Sequence, residues 1–85
     1  MNLVERLGRD ERLSSSTRMV RAEILRQVDP ITGRARVTAE QLADSLDLAV
    51  GTVRKATSTL IDQGYLRKVK AGRNVEYLPG HRQPK

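Results

Sequence analysis

Apolar positions in this chain recur with two different periods, and the change of period divides it. From residue 17 to about residue 62 the spacing is helical. Val20, Ile24 and Val28 recur every four residues with Leu25 beside them, which predicts a first helix over 17–28. Ser14-Ser15-Ser16 breaks the chain before it, and Ser16 or Thr17 is the expected cap. Asp29-Pro30 ends it, because the residue before proline avoids helical dihedrals. Arg36-Val37-Thr38 reads as a short strand. Thr38 then caps a second helix over 39–45, with Gln41 completing a capping box and Leu42, Ala43 and Leu46 as its apolar face. After the turn Asp47-Leu48-Ala49, a third helix over 50–63 carries Val53, Ala56, Thr57 and Leu60 as one stripe, with Ile61 at its edge and Gly64 as the stop.

Beyond Gly64 the period shortens to two. Residues 66–69 and 75–78 read as strands joined by Ala71-Gly72-Arg73-Asn74, and Pro79-Gly80 stops the second. At the other end, Leu3, Val4 and Leu7 share a face of a short helix weakened by Gly8, which Leu13 extends. That face cannot bury itself alone, so residues 1–16 read as an arm that docks on its own domain or forms a dimer contact. Residues 17–80 form the domain, and 81–85 a disordered basic tail. The fold class is α+β, mostly α: a three-helix core followed by a C-terminal β-hairpin, the order of a winged helix-turn-helix.

Eighty-five residues allow one domain with a modest core. There is no cysteine for a disulfide or thiolate metal site, no apolar run of membrane-spanning length, and an N-terminus too charged for a signal peptide. A bacterial or archaeal cytoplasm is the expected location, on the nucleoid. The net charge is +6, and all of it lies in residues 49–85, where Arg54, Lys55, Arg67, Lys68, Lys70, Arg73, Arg82 and Lys85 face only Asp62 and Glu76. Residues 1–48 are neutral in sum. A one-sided excess of this kind is the footprint of a phosphate-binding surface, where a solvated face mixes signs. Only Tyr65 and Tyr77 are aromatic, too few for base-stacking platforms, so duplex DNA is favoured over single strands. Both tyrosines are expected to pack the hairpin against the third helix.

The sequence holds no paired carboxylates in a plausible cleft, no glycine-rich phosphate loop, and a lone histidine, His81, in the tail. No enzyme, cofactor or metal is expected. With Val53, Ala56 and Leu60 turned inward, the third helix turns Gly51, Lys55, Ser58 and Asp62 outward, with Thr52, Arg54 and Thr59 on the flanks. Such a face is small and hydrogen-bonding near its N-terminus, which suits close approach to a groove.

The run from Leu42-Ala43 through Gly51-Thr52-Val53-Arg54-Lys55-Ala56 to Leu60-Ile61-Asp62-Gln63-Gly64-Tyr65-Leu66-Arg67 resembles the helix-turn-helix of GntR-type transcription regulators. The resemblance covers residues 37–78. It implies DNA contact by Thr52, Arg54 and Lys55. Two positions depart from the pattern. Ala49 stands where a capping Ser is usual, and Val50 where an Arg is usual, so that Val50 is left to meet a thymine methyl. That family also carries an effector-binding domain, for which this chain leaves no room, so no small-molecule effector is expected.

The expected reading is a sequence-specific regulator of transcription, repressor or activator. It binds double-stranded DNA with residues 50–63 in the major groove and residues 66–78 on the backbone or minor groove. Its DNA contacts are Val50, Gly51, Thr52, Arg54, Lys55, Ser58, Thr59, Arg67, Lys68, Lys70, Arg73 and Asn74. A homodimer is expected through Leu3, Val4 and Leu7, with abundance or a protein co-regulator as the switch. Two other readings share the fold. One is a structural DNA-binding role in plasmid or phage partition, replication or DNA coating. The other is a winged helix that binds protein, against which the charge asymmetry argues.

Overall fold

A computed structural model describes residues 13–80; the expected arm contacts Leu3, Val4 and Leu7 and the tail 81–85 lie outside the described residues. The described chain forms α1 (Ser15–Arg26), β1 (Ala35–Arg36), α2 (Ala39–Leu46), α3 (Val50–Asp62), β2 (Leu66–Ala71) and β3 (Asn74–Pro79). The three strands make one antiparallel sheet in the order β1-β3-β2. This is a winged helix-turn-helix, three helices followed by a hairpin.

The first helix begins earlier than the apolar pattern predicts, because Ser14 and not Ser16 or Thr17 is its cap. Ser14 Oγ accepts from the Thr17 amide at 3.1 Å and lies 2.8 Å from the Thr17 hydroxyl. Thr17 is buried, so its side chain faces the core and is not available as a cap. The helix also ends two residues sooner than expected, at Arg26. Asp29 is taken up in the next turn, where its amide donates to the Arg34 carbonyl and its carboxylate accepts from the Ile31 amide at 2.7 Å. The short strand lies at 35–36 instead of 36–38, because its position is set by pairing with β3: Ala35 opposes Tyr77 and Arg36 opposes Glu76.

The second helix carries the expected capping box, with Thr38 Oγ1 accepting from the Gln41 amide and Gln41 Oε1 from the Thr38 amide. Asp47 ends it with φ 57, a left-handed conformation that turns the chain straight into α3. At the far end of α3 the Gly64 amide donates to the Ile61 carbonyl and the Tyr65 amide to the Leu60 carbonyl. With Gly64 at φ 83, this is a Schellman closure, and it aims the chain into β2.

The core gathers one stripe from each helix: Val20 and Ile24 from α1, Leu42 and Ala43 from α2, Val53, Ala56 and Leu60 from α3. Leu13, Ala35, Val37, Leu66 and both tyrosines close it. Leu13 therefore belongs to the core of the folded unit. The Arg21 guanidinium lies 5.4 Å from the Tyr65 ring centroid, which joins α1 to the start of the hairpin.

The hairpin is longer and its loop tighter than expected. Ala71 opposes Asn74, leaving Gly72-Arg73 as a two-residue loop. Gly72 supplies the positive φ, +64, that such a loop needs at its first position.

Candidate nucleic-acid interface

The stripe Val53, Ala56, Thr57 and Leu60 fixes the rotation of α3, since all four are buried. Thr57 stays in place by donating its hydroxyl to the Arg54 carbonyl at 3.0 Å. At about 100° per residue the remaining positions span an arc of roughly 160°. From the hairpin side outward they run Arg54, Ser58, Gly51, Asp62, Lys55, Thr59 and Thr52, and all are exposed except half-buried Thr59. Val50, at the helix start, is also half-buried against the core.

The N-terminus of α3 is open. Its first internal hydrogen bond runs from the Val53 amide to the Ala49 carbonyl at 3.1 Å, and Ala49 supplies no side-chain cap. The amides of residues 50, 51 and 52 thus sit beyond the helical ladder, at the positive end of the helix dipole. A Cβ built on Gly51 meets nothing within 4 Å, so this edge is bare.

The hairpin stands beside this face. Lys68 and its cross-strand partner Tyr77 point toward α3, where they line a hollow of about 610 Å³ with Arg54, Thr57, Ser58, Ile61 and Asp62. Lys70 follows Lys68 on the same face of β2. Arg73 and Asn74 at the hairpin tip reach the start of α2, lining a second hollow of about 400 Å³ with Thr38, Ala39, Glu40 and Gln41. Lys68 and Lys70 are therefore brought to the side that α3 exposes, with Arg73 and Asn74 at the tip beside the start of α2. Arg67 is not. It opposes Leu78 and projects from the other face of the sheet.

That other face explains one of the two acids in the basic half. Glu76 is buried, and both its oxygens are engaged: Oε2 accepts from Arg36 Nε and Nη2 at 3.1 and 3.0 Å, and Oε1 from Arg34 Nη1 at 3.2 Å. The Arg36 hydrogen bonds, then those of Arg34, hold its carboxyl below the ordinary glutamate value. Its charge is consumed in fastening β1 to β3, away from α3. Asp62 remains exposed at the far end of α3.

One contact on the interface lay beyond the reach of the sequence pattern. Glu40, in the first turn of α2, holds Arg54 of α3, with Oε2 3.2 Å from Nη2. In the sequence Glu40 reads only as an acid suited to a helix N-terminus; nothing local connects it to a residue fourteen positions on.

Among the described residues no group of three or more His, Cys, Asp or Glu is placed to hold a metal, and no helix is long and apolar enough to cross a membrane.

Comparison with known proteins matches residues 22–70 to the IclR helix-turn-helix domain, a non-enzymatic DNA-binding module of transcription regulators. The match begins within α1 and ends in β2, so it takes in the last turn of α1 and the whole of α2 and α3. It does not return the GntR type that residues 42–67 resemble. No curated protein matches the chain. Among solved structures, reduced HlyU from Vibrio cholerae shares the fold, with a TM-score of 0.58 at 13% identity over 79% of this chain. The chain spans 62% of the length of that protein. With more than half of its residues matched, this chain belongs to the IclR helix-turn-helix domain family, a DNA-binding module.

Proposed function

We propose that the protein reads a specific duplex sequence by placing α3 in the major groove while the hairpin follows the flanking phosphates. The observation that carries this reading is the shared orientation of two surfaces. The bare, hydrogen-bonding start of α3 (Gly51, Thr52) and its cations (Arg54, Lys55) open on the same side as Lys68 and Lys70, with Arg73 and Asn74 at the hairpin tip beside α2. The amides of 50–52 suit a phosphate, Arg54 and Thr52 suit base edges, and Val50 suits a thymine methyl. Ser58 and Thr59 lie deeper along the helix, where it lifts from the groove. The likeness of Gly51-Thr52-Val53-Arg54 to GntR-type regulators supports Thr52, Arg54 and Lys55 as contacts. Arg67, on the far face of the sheet, has no part in this docking.

The regulator acts as a homodimer on repeated half-sites and represses by occupying its site. Exposed Met19, Ala22 and Leu25, spaced three apart on one side of α1, favour a helix contact alongside Leu3, Val4 and Leu7. The expected setting is the cytoplasmic nucleoid, with a protein co-regulator or abundance as the switch.

Selection of bound duplexes from a random library at near-physiological salt tests the reading. A repeated or symmetric motif is expected, with spacing near a helical turn or a multiple of it. Binding without enrichment would replace sequence reading by a structural role on DNA. No retention at low salt would leave the protein-binding use of the fold.

A further inference from the structure

An acid stands on the DNA-facing side where phosphate repulsion would be expected to exclude it. Glu40 and Arg54 are 64% and 67% exposed, and their ion pair joins the two hollows that share Tyr77, one lined by Glu40 and the other by Arg54. Exposed pairs of this kind contribute little to stability. A carboxylate that serves only the dipole of α2 has no need to reach another helix. The contact must be judged by what it does to Arg54.

An unrestrained arginine beside DNA swings to the nearest phosphate, where the Coulomb attraction is strongest. Arg54 is restrained on two sides. Its backbone is locked in α3, and one Nη2 hydrogen is taken by Glu40, whose own backbone is fixed by the Thr38–Gln41 capping box. The guanidinium carries five donors in a planar fork, so one edge remains for a ligand. The neighbouring negative charge also weakens its pull on phosphate while leaving its directional hydrogen bonds intact. A guanine edge, with O6 and N7 side by side, is the partner that fits such a fork.

We propose that Glu40 is a positioning residue for sequence reading, holding one edge of the Arg54 guanidinium so that the other meets a guanine instead of a phosphate. The proposal rests on the major-groove reading above.

The test is parallel selection from a random duplex library with the unaltered chain, Glu40→Ala, Arg54→Ala, the double variant, and Asp44→Ala as a charge-matched control on the exposed side of α2. Each is then measured for affinity to the selected site and to random duplex at several salt concentrations. The unaltered chain and Asp44→Ala are expected to select a guanine at one position of each half-site. Arg54→Ala should lose it. Glu40→Ala should weaken that preference roughly 5- to 150-fold, the range of one bidentate base contact. It should also bind random duplex more tightly, with a salt slope steeper by about one unit as Arg54 takes up a phosphate. In the Arg54→Ala background, Glu40→Ala should leave the selected motif unchanged. Unaltered guanine preference in a folded Glu40→Ala chain, or an equal loss of affinity for every sequence, would overturn the proposal alone. Absence of any motif with the unaltered chain would overturn the major-groove reading beneath it as well.

Discussion

Replacing Gly51 by alanine should move stability and DNA affinity in opposite directions. Gly51 is the second residue of α3, and an added Cβ there meets nothing within 4 Å. Alanine in a helix is favoured over glycine by about 0.5–1 kcal/mol, because the unfolded chain has less freedom to lose. For a domain of this size that raises Tm by roughly 2–8 °C. The same methyl projects from the edge where the amides of 50–52 are open. A phosphate oxygen held at about 2.9 Å from an amide would be pushed out by about an ångström, beyond hydrogen-bonding distance. Loss of one such charge-assisted bond is worth about 1.5–3 kcal/mol, or roughly 10- to 150-fold in Kd. Circular dichroism melting and fluorescence anisotropy with the selected duplex measure the two effects. A higher Tm with unchanged affinity would refute the placement of Gly51 against DNA, and a lower Tm would refute the open space around it.

Ala49→Ser supplies the missing cap of α3 and should stabilise the fold by about 1 kcal/mol, read as a Tm increase of roughly 4–8 °C. Gly80→Ala should destabilise by about 1–3 kcal/mol in denaturant titration, since its Cβ would overlap the Gly64 carbonyl oxygen and lie 2.8 Å from the Tyr65 carbonyl carbon. Lys68→Ala should weaken binding to all duplexes alike and make the salt slope shallower by about one unit, measured by anisotropy at several salt concentrations. Because Arg36 and Arg34 hold the Glu76 carboxyl below its ordinary value, its contribution to stability is complete above the unfolded value and is lost as pH falls through the folded one. Thermal melts from about pH 6 downward should therefore show a shallower acid loss for Glu76→Gln than for the unaltered chain.

What the sequence disclosed was whatever a few neighbouring residues decide. The Thr38–Gln41 capping box, the buried stripe of α3 and the stop at Gly64 each depend on residues within one or two turns, and each was readable. The choice of Ser14 as the first cap was not, because Ser14, Ser15, Ser16 and Thr17 can all cap, and burial of Thr17 in the assembled core decides among them. The short strand shifted because its register comes from Tyr77 and Glu76, more than forty residues away in the case of Ala35 and Tyr77. Alternation along β2 placed Lys68 and Lys70 together but also sends Arg67 to the opposite face, which a grouping by charge conceals. The roles of Glu40 and Glu76 were hidden for the same reason as the strand register: their arginine partners are distant in sequence. The Gly51-Thr52-Val53-Arg54 run resembles one regulator family, whereas the match over 22–70, which takes in the end of α1 and all of α2 and α3, is to another. A motif of four residues is a weaker guide to descent than a match over most of the domain.

The most direct test is an amide chemical-shift titration of the isotope-labelled chain with the selected duplex. The account predicts that the strongest perturbations fall on residues 50–55 and 68–74, with Glu40 affected through Arg54 and with the Arg34–Arg36–Glu76 face undisturbed. Perturbations concentrated on that face, or on the exposed side of α1, with α3 unchanged would contradict it.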